Sequence, residues 1–77
     1  MKVKLRYAEY ISIEEVANGG ELHVDDGTTV EELLSRLTME EQYREFFYPI
    51  VEKKLKDRDY VLRDGDDVLL YLPAGGG

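Results

Sequence analysis

The amino-acid sequence predicts a small α+β domain in which one main helix packs on one face of a mixed sheet. Three observations support this prediction. Residues 2–8, 21–25 and 68–72 have the alternation or composition of strands, whereas residues 30–37 repeat apolar side chains at helical spacing. A chain of 77 residues is long enough for only one hydrophobic core. The helix and the sheet must therefore bury their apolar surfaces against each other, in two layers.

Composition and charge limit the functions that the chain can have. It has 43% hydrophobic and 35% charged residues, which is typical of a globular protein. Its net charge of -7 disfavours nucleic acid and suits a basic protein partner, although negative charge also serves solubility. With no cysteine and one histidine, we expect no disulfide, no zinc site and no cysteine or serine-triad catalysis. No segment has the length of a membrane span or the form of a signal peptide, so we expect a cytoplasmic protein with no membrane partner.

The first strand alternates over residues 2–8, so its apolar side chains share one face. The opposite face carries a basic row: Lys2, Lys4 and Arg6. A solvated strand face explains such a row, and so does a docking patch.

The next segment predicts a short helical turn and a second strand. Ser12 and Glu15 have capping-box spacing, which predicts a helical turn over residues 13–17. The glycines of residues 18–20 would end that turn. Residues 21–25 alternate again, and this places His23 on the outer face of the second strand.

The core helix follows a turn at residues 25–27. Thr29 and Glu32 form a second capping-box pattern before an apolar stripe at i, i+3, i+4 and i+7. A third such pattern, at Thr38 and Glu41, predicts that the helix breaks there and restarts. Pro49 should then close the second helix.

The rest of the chain reads as strand, connector and strand. Pro49 opens a short strand, which we expect at a sheet edge because proline lacks an N–H. Residues 53–59 form a charged connector, residues 60–62 tuck in as one turn, and residues 63–67 make a tight turn.

The last strand ends in a glycine tail. Alternation directs Val68 and Leu70 toward the helix, and it leaves Leu69 and Tyr71 on the open face as a candidate binding patch. We divide the chain into a domain at residues 1–72 and a flexible tail at residues 73–77. We expect Gly77 to carry the free carboxylate.

Three segments in this order, residues 26–34, 57–68 and 73–77, resemble the ubiquitin-like β-grasp sulfur carriers. Within that family the chain is most similar to the small subunit of molybdopterin synthase, and the thiamine sulfur carrier belongs to the same type. The resemblance implies a β-grasp fold with four to five strands, in which the first and last strands lie parallel in the middle of the sheet.

The resemblance also implies a mechanism. An E1-like enzyme would adenylate the carboxylate of Gly77 with ATP, and a desulfurase or rhodanese type of sulfur donor would convert the adenylate to a thiocarboxylate. Gly76 would be the slender neighbour that enters the narrow channel with it. The protein would then be a sulfur-carrying co-substrate in molybdopterin biosynthesis, with no catalytic residue, bound cofactor or metal of its own.

The resemblance further implies a docking surface for the E1-like enzyme and for the large subunit of molybdopterin synthase. Its residues would be Leu69, Tyr71, Leu72, Pro73, Ala74 and Gly75, with Lys4, Arg6 and His23 on the same open face. The family more often has alanine at the position of Gly75.

Other functions fit the same sequence. The carrier could serve thiamine synthesis or tRNA thiolation instead. It could also be a ubiquitin-like modifier that is joined to other proteins through Gly77, or a β-grasp binding module whose tail has no chemistry.

Overall fold

Five strands and two helices make up the part of the chain, residues 1–73, that the computed structural model describes. In chain order they are β1 (Lys2–Arg6), β2 (Glu21–His23), α1 (Val30–Arg36), α2 (Glu41–Arg44), β3 (Tyr48–Val51), β4 (Lys54–Leu55) and β5 (Asp67–Tyr71). The predicted α+β class is confirmed. The predicted glycine tail after Pro73 lies outside the described residues.

The five strands form one mixed sheet in the order β2-β1-β5-β3-β4. β1 and β5 are parallel neighbours in its interior, and the other three pairs are antiparallel. The N-terminal and C-terminal strands therefore lie side by side, as the resemblance implied. Strand β5 is paired on both sides, which fixes it more firmly than either edge strand.

The core lies between the inner face of the sheet and α1. Its most completely buried side chains are Val3, Leu5, Val30, Leu33, Leu34, Val51, Val68 and Leu70. They come from β1, α1, β3 and β5. The alternation and the helical stripe predicted those of β1, α1 and β5, whereas Val51 of β3 was not predicted. Burying each such side chain stabilises the fold by about 1.5–3 kcal/mol.

The capping box predicted for α1 is present. The hydroxyl of Thr29 accepts a hydrogen bond from the backbone N–H of Glu32 at 3.1 Å, and the carboxylate of Glu32 accepts one from the N–H of Thr29 at 2.9 Å. At the other end of α1, the guanidinium of Arg44 donates to the carbonyls of Leu34 and Leu37. Both ends of the core helix thus have partners for their free backbone groups.

The other two predicted capping boxes are wrong, and one interaction explains both. The carboxylate of Glu15 accepts hydrogen bonds from the backbone N–H of Thr38 at 2.7 Å and from its hydroxyl at 2.6 Å. Glu15 therefore ties the first loop to the end of α1, and residues 13–17 form a turn and a bend, not a helix. Since its hydroxyl is engaged by Glu15, Thr38 does not cap α2, whose first turn follows Glu40 without a side-chain cap.

The prediction that Pro49 lies on an edge strand is also wrong. Strand β3 pairs with β5 on one side and with β4 on the other. The carbonyl of Pro49 accepts a hydrogen bond from the N–H of Lys56 at 2.9 Å, just past the end of the two-residue β4. The missing N–H of proline is tolerated because the partner strand stops at this point.

A two-residue turn joins β3 to β4. Its residues, Glu52 and Lys53, have φ of 50° and 69°. Both values lie in the left-handed region, as in a type I′ hairpin turn, where asparagine and glycine are usual. Glu52 also accepts a hydrogen bond from the N–H of Asp67 at 2.6 Å, so the turn is fastened to the start of β5.

The tight turn predicted before β5 is confirmed. Gly65 has a φ of 87°, which is why glycine suits this position. Its N–H donates to the carbonyl of Lys2 at 2.7 Å, and the N–H of Lys2 donates to the carboxylate of Asp64 at 2.8 Å. The turn therefore aligns the start of β5 with the start of β1.

Candidate functional site

Strand β5 connects the domain to the segment expected to carry the chemistry. Val68 and Leu70 are 0% and 1% exposed, whereas Leu69 is partly exposed and Tyr71 is 45% exposed. The predicted alternation is confirmed. The inner side chains hold the strand in the core, and the outer ones are free for a partner on the sheet face opposite α1, which we call the open face.

An apolar strip crosses the open face from β4 to β5. Leu55 pairs with Ile50, Ile50 pairs with Leu69, and Tyr48 pairs with Tyr71. Leu55 is 65% exposed and Tyr48 is 50% exposed. An apolar surface of this kind on a small protein is typical of a binding site.

Three members of the apolar strip were missed from sequence: Tyr48, Ile50 and Leu55. Tyr48 and Ile50 alternate with the buried residues Pro49 and Val51, so a strand with two faces was readable in residues 48–51. What the sequence does not contain is the pairing of that strand with β5, which brings these side chains beside Leu69.

The predicted basic residues share the open face but do not form one cluster. Arg6 lies opposite Leu69 in the sheet, and its Nε donates to the carboxylate of Asp67 at 2.9 Å. Lys4 lies opposite Asp67, and within residues 1–73 it makes no ion pair. His23 pairs with Lys2 at the far end of β1, about 13 Å along the strand from Arg6 at about 3.3 Å per residue.

Leu72 does not belong to the open face. It is partly buried and packs against the core, because it follows the inward direction of Leu70. Pro73 is exposed, and both residues line a groove beside the end of β5. The other predicted docking and attachment residues, Ala74, Gly75, Gly76 and Gly77, lie outside the described residues.

The groove has a volume of about 790 Å³ and is largely aromatic. Tyr10 from the first loop meets Tyr43 from α2 edge to face, with ring centroids 6.0 Å apart. Phe46 and Tyr48 continue the wall toward Pro73. We call this the aromatic groove, and the sequence did not indicate its full lining because it joins four separate segments.

The basic side chains beside the aromatic groove have partners. The guanidinium of Arg58 donates to the carboxylate of Glu31 at 3.1 Å and to the carbonyl of Phe47 at 3.1 Å. The ammonium of Lys56 lies 5.0 Å from the centre of the Tyr60 ring. Burial, and then the negative charge of Asp66, raise the pKa of Tyr60 above its ordinary value.

The arrangement offers surfaces for docking. Within residues 1–73, no three His, Asp or Glu side chains are grouped so that they could hold a metal ion. Neither of the helices described is long and apolar enough to cross a membrane.

A search against protein-family models, curated proteins and solved structures found no match.

Proposed function

We propose that this protein is a sulfur carrier whose terminal glycine, Gly77, is adenylated and converted to a thiocarboxylate. One observation carries the proposal: the glycine-rich segment follows directly from β5, an interior strand whose outward residues are apolar. A carrier needs a firmly held domain, a slender reactive end and a surface beside that end for its partners. Strand β5 joins these three parts in one stretch of chain.

The proposal includes a ubiquitin-like β-grasp fold. Its support is the mixed sheet in the order β2-β1-β5-β3-β4, with parallel β1 and β5 inside it and α1 on one face. The resemblance implied a sheet of four to five strands with its first and last strands parallel in the middle. The short α2 and the two-residue β4 are compatible with such a fold.

The proposed chemistry takes place on a partner enzyme. A carboxylate oxygen of Gly77 attacks the α-phosphorus of ATP, and pyrophosphate leaves. The terminal sulfur of a persulfide on the sulfur donor then attacks the acyl carbon, and AMP leaves. A thiol cleaves the resulting S–S bond, so that one sulfur stays on Gly77 as a thiocarboxylate and the thiol and donor sulfur form a disulfide.

Glycine suits this reaction because a side chain next to the carboxylate would block approach of the phosphate and the persulfide. Leu69 and Tyr71 would dock the carrier on the E1-like enzyme, and Arg6 would border that contact. In the favoured pathway the thiocarboxylate gives its sulfur to a molybdopterin precursor on the large subunit of molybdopterin synthase. Thiamine synthesis and tRNA thiolation would use the same carrier chemistry with other acceptors.

Intact-mass spectrometry tests the proposal. The full chain is incubated with ATP, an E1-like enzyme, a cysteine desulfurase and cysteine, and we expect the mass increase of one oxygen-to-sulfur exchange. Without ATP the mass should stay unchanged. An unchanged mass in the complete reaction, under conditions that convert a known carrier, would reject the sulfur-carrier function.

Two alanine variants provide a matched comparison within the glycine segment. Gly76→Ala should suppress thiocarboxylate formation, because its methyl group enters the channel next to the reacting carboxylate. Gly75→Ala should react normally, since the resembling family more often has alanine there. If Gly76→Ala reacted like the unmodified protein, the role of Gly76 in a narrow channel would be wrong. Gly77-dependent adducts on lysines would favour a protein modifier.

A further inference from the structure

We propose that the aromatic groove binds a proline-rich segment of a partner protein that carries a basic residue beside its prolines. This site meets the open face only at Tyr48 and does not depend on the chemistry of Gly77. Its lining comes from the first loop, the α2–β3 segment, the connector after β4 and the end of β5.

The exposed aromatic rings of the groove are its first relevant feature. Tyr10 is 64% exposed, Phe46 is 59% exposed and Tyr48 is 50% exposed. Exposed aromatic side chains along a groove suit proline rings, which pack in aromatic-lined grooves in the polyproline II conformation. That conformation has no internal hydrogen bonds, so the hydroxyls of Tyr10 and Tyr48 have carbonyls available to them.

The aromatic wall is held in place by hydrogen bonds before any partner arrives. Arg58 donates to the carbonyls of Arg44 and Phe47 at 2.9 and 3.1 Å, on either side of Phe46. Arg44 in turn donates to the end of α1 at the carbonyl of Leu37, 2.8 Å away. A wall fixed in this way loses little conformational entropy on binding, which favours affinity.

The charge of the groove selects a basic partner. Arg58 is paired with Glu31, and the ammonium of Lys56 lies over the Tyr60 ring. Glu45 and Asp57 also line the groove, and within residues 1–73 neither makes an ion pair. With Glu31 counted, the charged side chains at the groove are three acids and two bases, because the contact with the ring leaves Lys56 positively charged. Their sum is one negative charge, so an arginine or lysine next to the prolines would complement it.

The proline content of this chain argues against a second copy of it as the occupant. A second copy of the chain has only two prolines, Pro49 and Pro73, and Pro49 is buried while Pro73 lines the groove itself. A proline-rich basic segment of another protein is the occupant that the groove chemistry favours.

Nuclear magnetic resonance titration of the full chain tests the proposal. The probe is a short synthetic peptide with a Pro-x-x-Pro core flanked by arginine. We expect saturable shift changes at Tyr10, Phe46 and Tyr48. One control peptide has alanine in place of the prolines, and a second has glutamate in place of the arginine; both should bind about tenfold more weakly or not at all.

Variants of the groove complete the test. Phe46→Ala should weaken binding of the peptide by about tenfold or more, which is the loss typical of an aromatic anchor. Val61→Ala is the matched control: Val61 is 51% exposed but lies outside the groove, so binding should be unchanged. Glu45→Lys should weaken binding of the arginine peptide and strengthen binding of the glutamate peptide. A folded Phe46→Ala protein that binds normally, equal binding of the alanine peptide, or shifts confined to the open face would overturn the proposal.

Discussion

Neighbouring leucines on β5 should separate the stability of the domain from its docking. Leu70 is 1% exposed in the core, whereas Leu69 is partly exposed on the open face. Leu70→Ala creates a core cavity and should lower the free energy of unfolding by about 3 kcal/mol. For a domain of this size that corresponds to a fall in Tm of about 12–24 °C. Leu69→Ala should cost about 1 kcal/mol or less, because its side chain is not enclosed.

The assay for this prediction is thermal unfolding followed by circular dichroism, combined with binding of the E1-like enzyme. Leu70→Ala should unfold early but dock normally at a temperature where it remains folded. Leu69→Ala should unfold close to the unmodified protein and dock more weakly. Equal losses of Tm in the two variants would contradict the alternation of β5, and normal docking of Leu69→Ala would remove the open face from the proposed mechanism.

Three further predictions concern the local structure that supports these surfaces. Lys53→Gly should raise the free energy of unfolding by about 0.5 kcal/mol, since relief of the left-handed strain exceeds the added entropy of the unfolded chain. Chemical denaturation measures this, and Lys54→Gly, a glycine placed in strand β4, should instead destabilise the protein. Thr29→Ala should cost about 1 kcal/mol through loss of the cap of α1, and Thr29→Ser should retain most of it. Hydrogen bonds from the side chain and then the backbone of Thr38 lower the pKa of Glu15. The stability that the ionised Glu15 contributes is therefore present above its unfolded pKa and is lost as the pH falls through its folded pKa. Glu15→Gln should flatten the acidic part of a plot of unfolding free energy against pH, and an unaltered plot would contradict this.

Periodicity predicted the elements whose burial is decided locally. The stripe of α1 and the alternation of β1 and β5 each match a regular backbone with one buried face, so the sequence alone indicates which side chains form the core. The cap of α1 is equally local, since Thr29 and Glu32 need only each other. The class of the fold follows from these elements.

Long-range competition accounts for the errors. The box patterns at Ser12 and Thr38 are as good as the one at Thr29, but Glu15 bonds to Thr38 across 23 positions of sequence. The pattern contains no sign of that partner. The misplaced Pro49 has the same cause, because its tolerance depends on where β4 ends.

The candidate site was only half readable for a related reason. Leu69 and Tyr71 were identified because outward apolar residues on a strand stand out in the chain. Their neighbours Tyr48 and Ile50 depend on which strand pairs with β5, and the aromatic groove depends on the meeting of four segments. Surfaces built from several elements depend on which elements become neighbours in the fold. Local sequence patterns carry little information about that.

The two surfaces differ in what they recognise, and this allows them to act together. On the open face Arg6 is paired with Asp67 and Lys4 makes no ion pair within residues 1–73, so a positive charge borders the apolar strip. In the aromatic groove Glu45 and Asp57 make no ion pair within residues 1–73, so the charge beside the rings is negative. Tyr48 borders both surfaces. One partner chain could therefore hold the open face while a proline-rich segment of the same or another partner occupies the groove, with Pro73 between them.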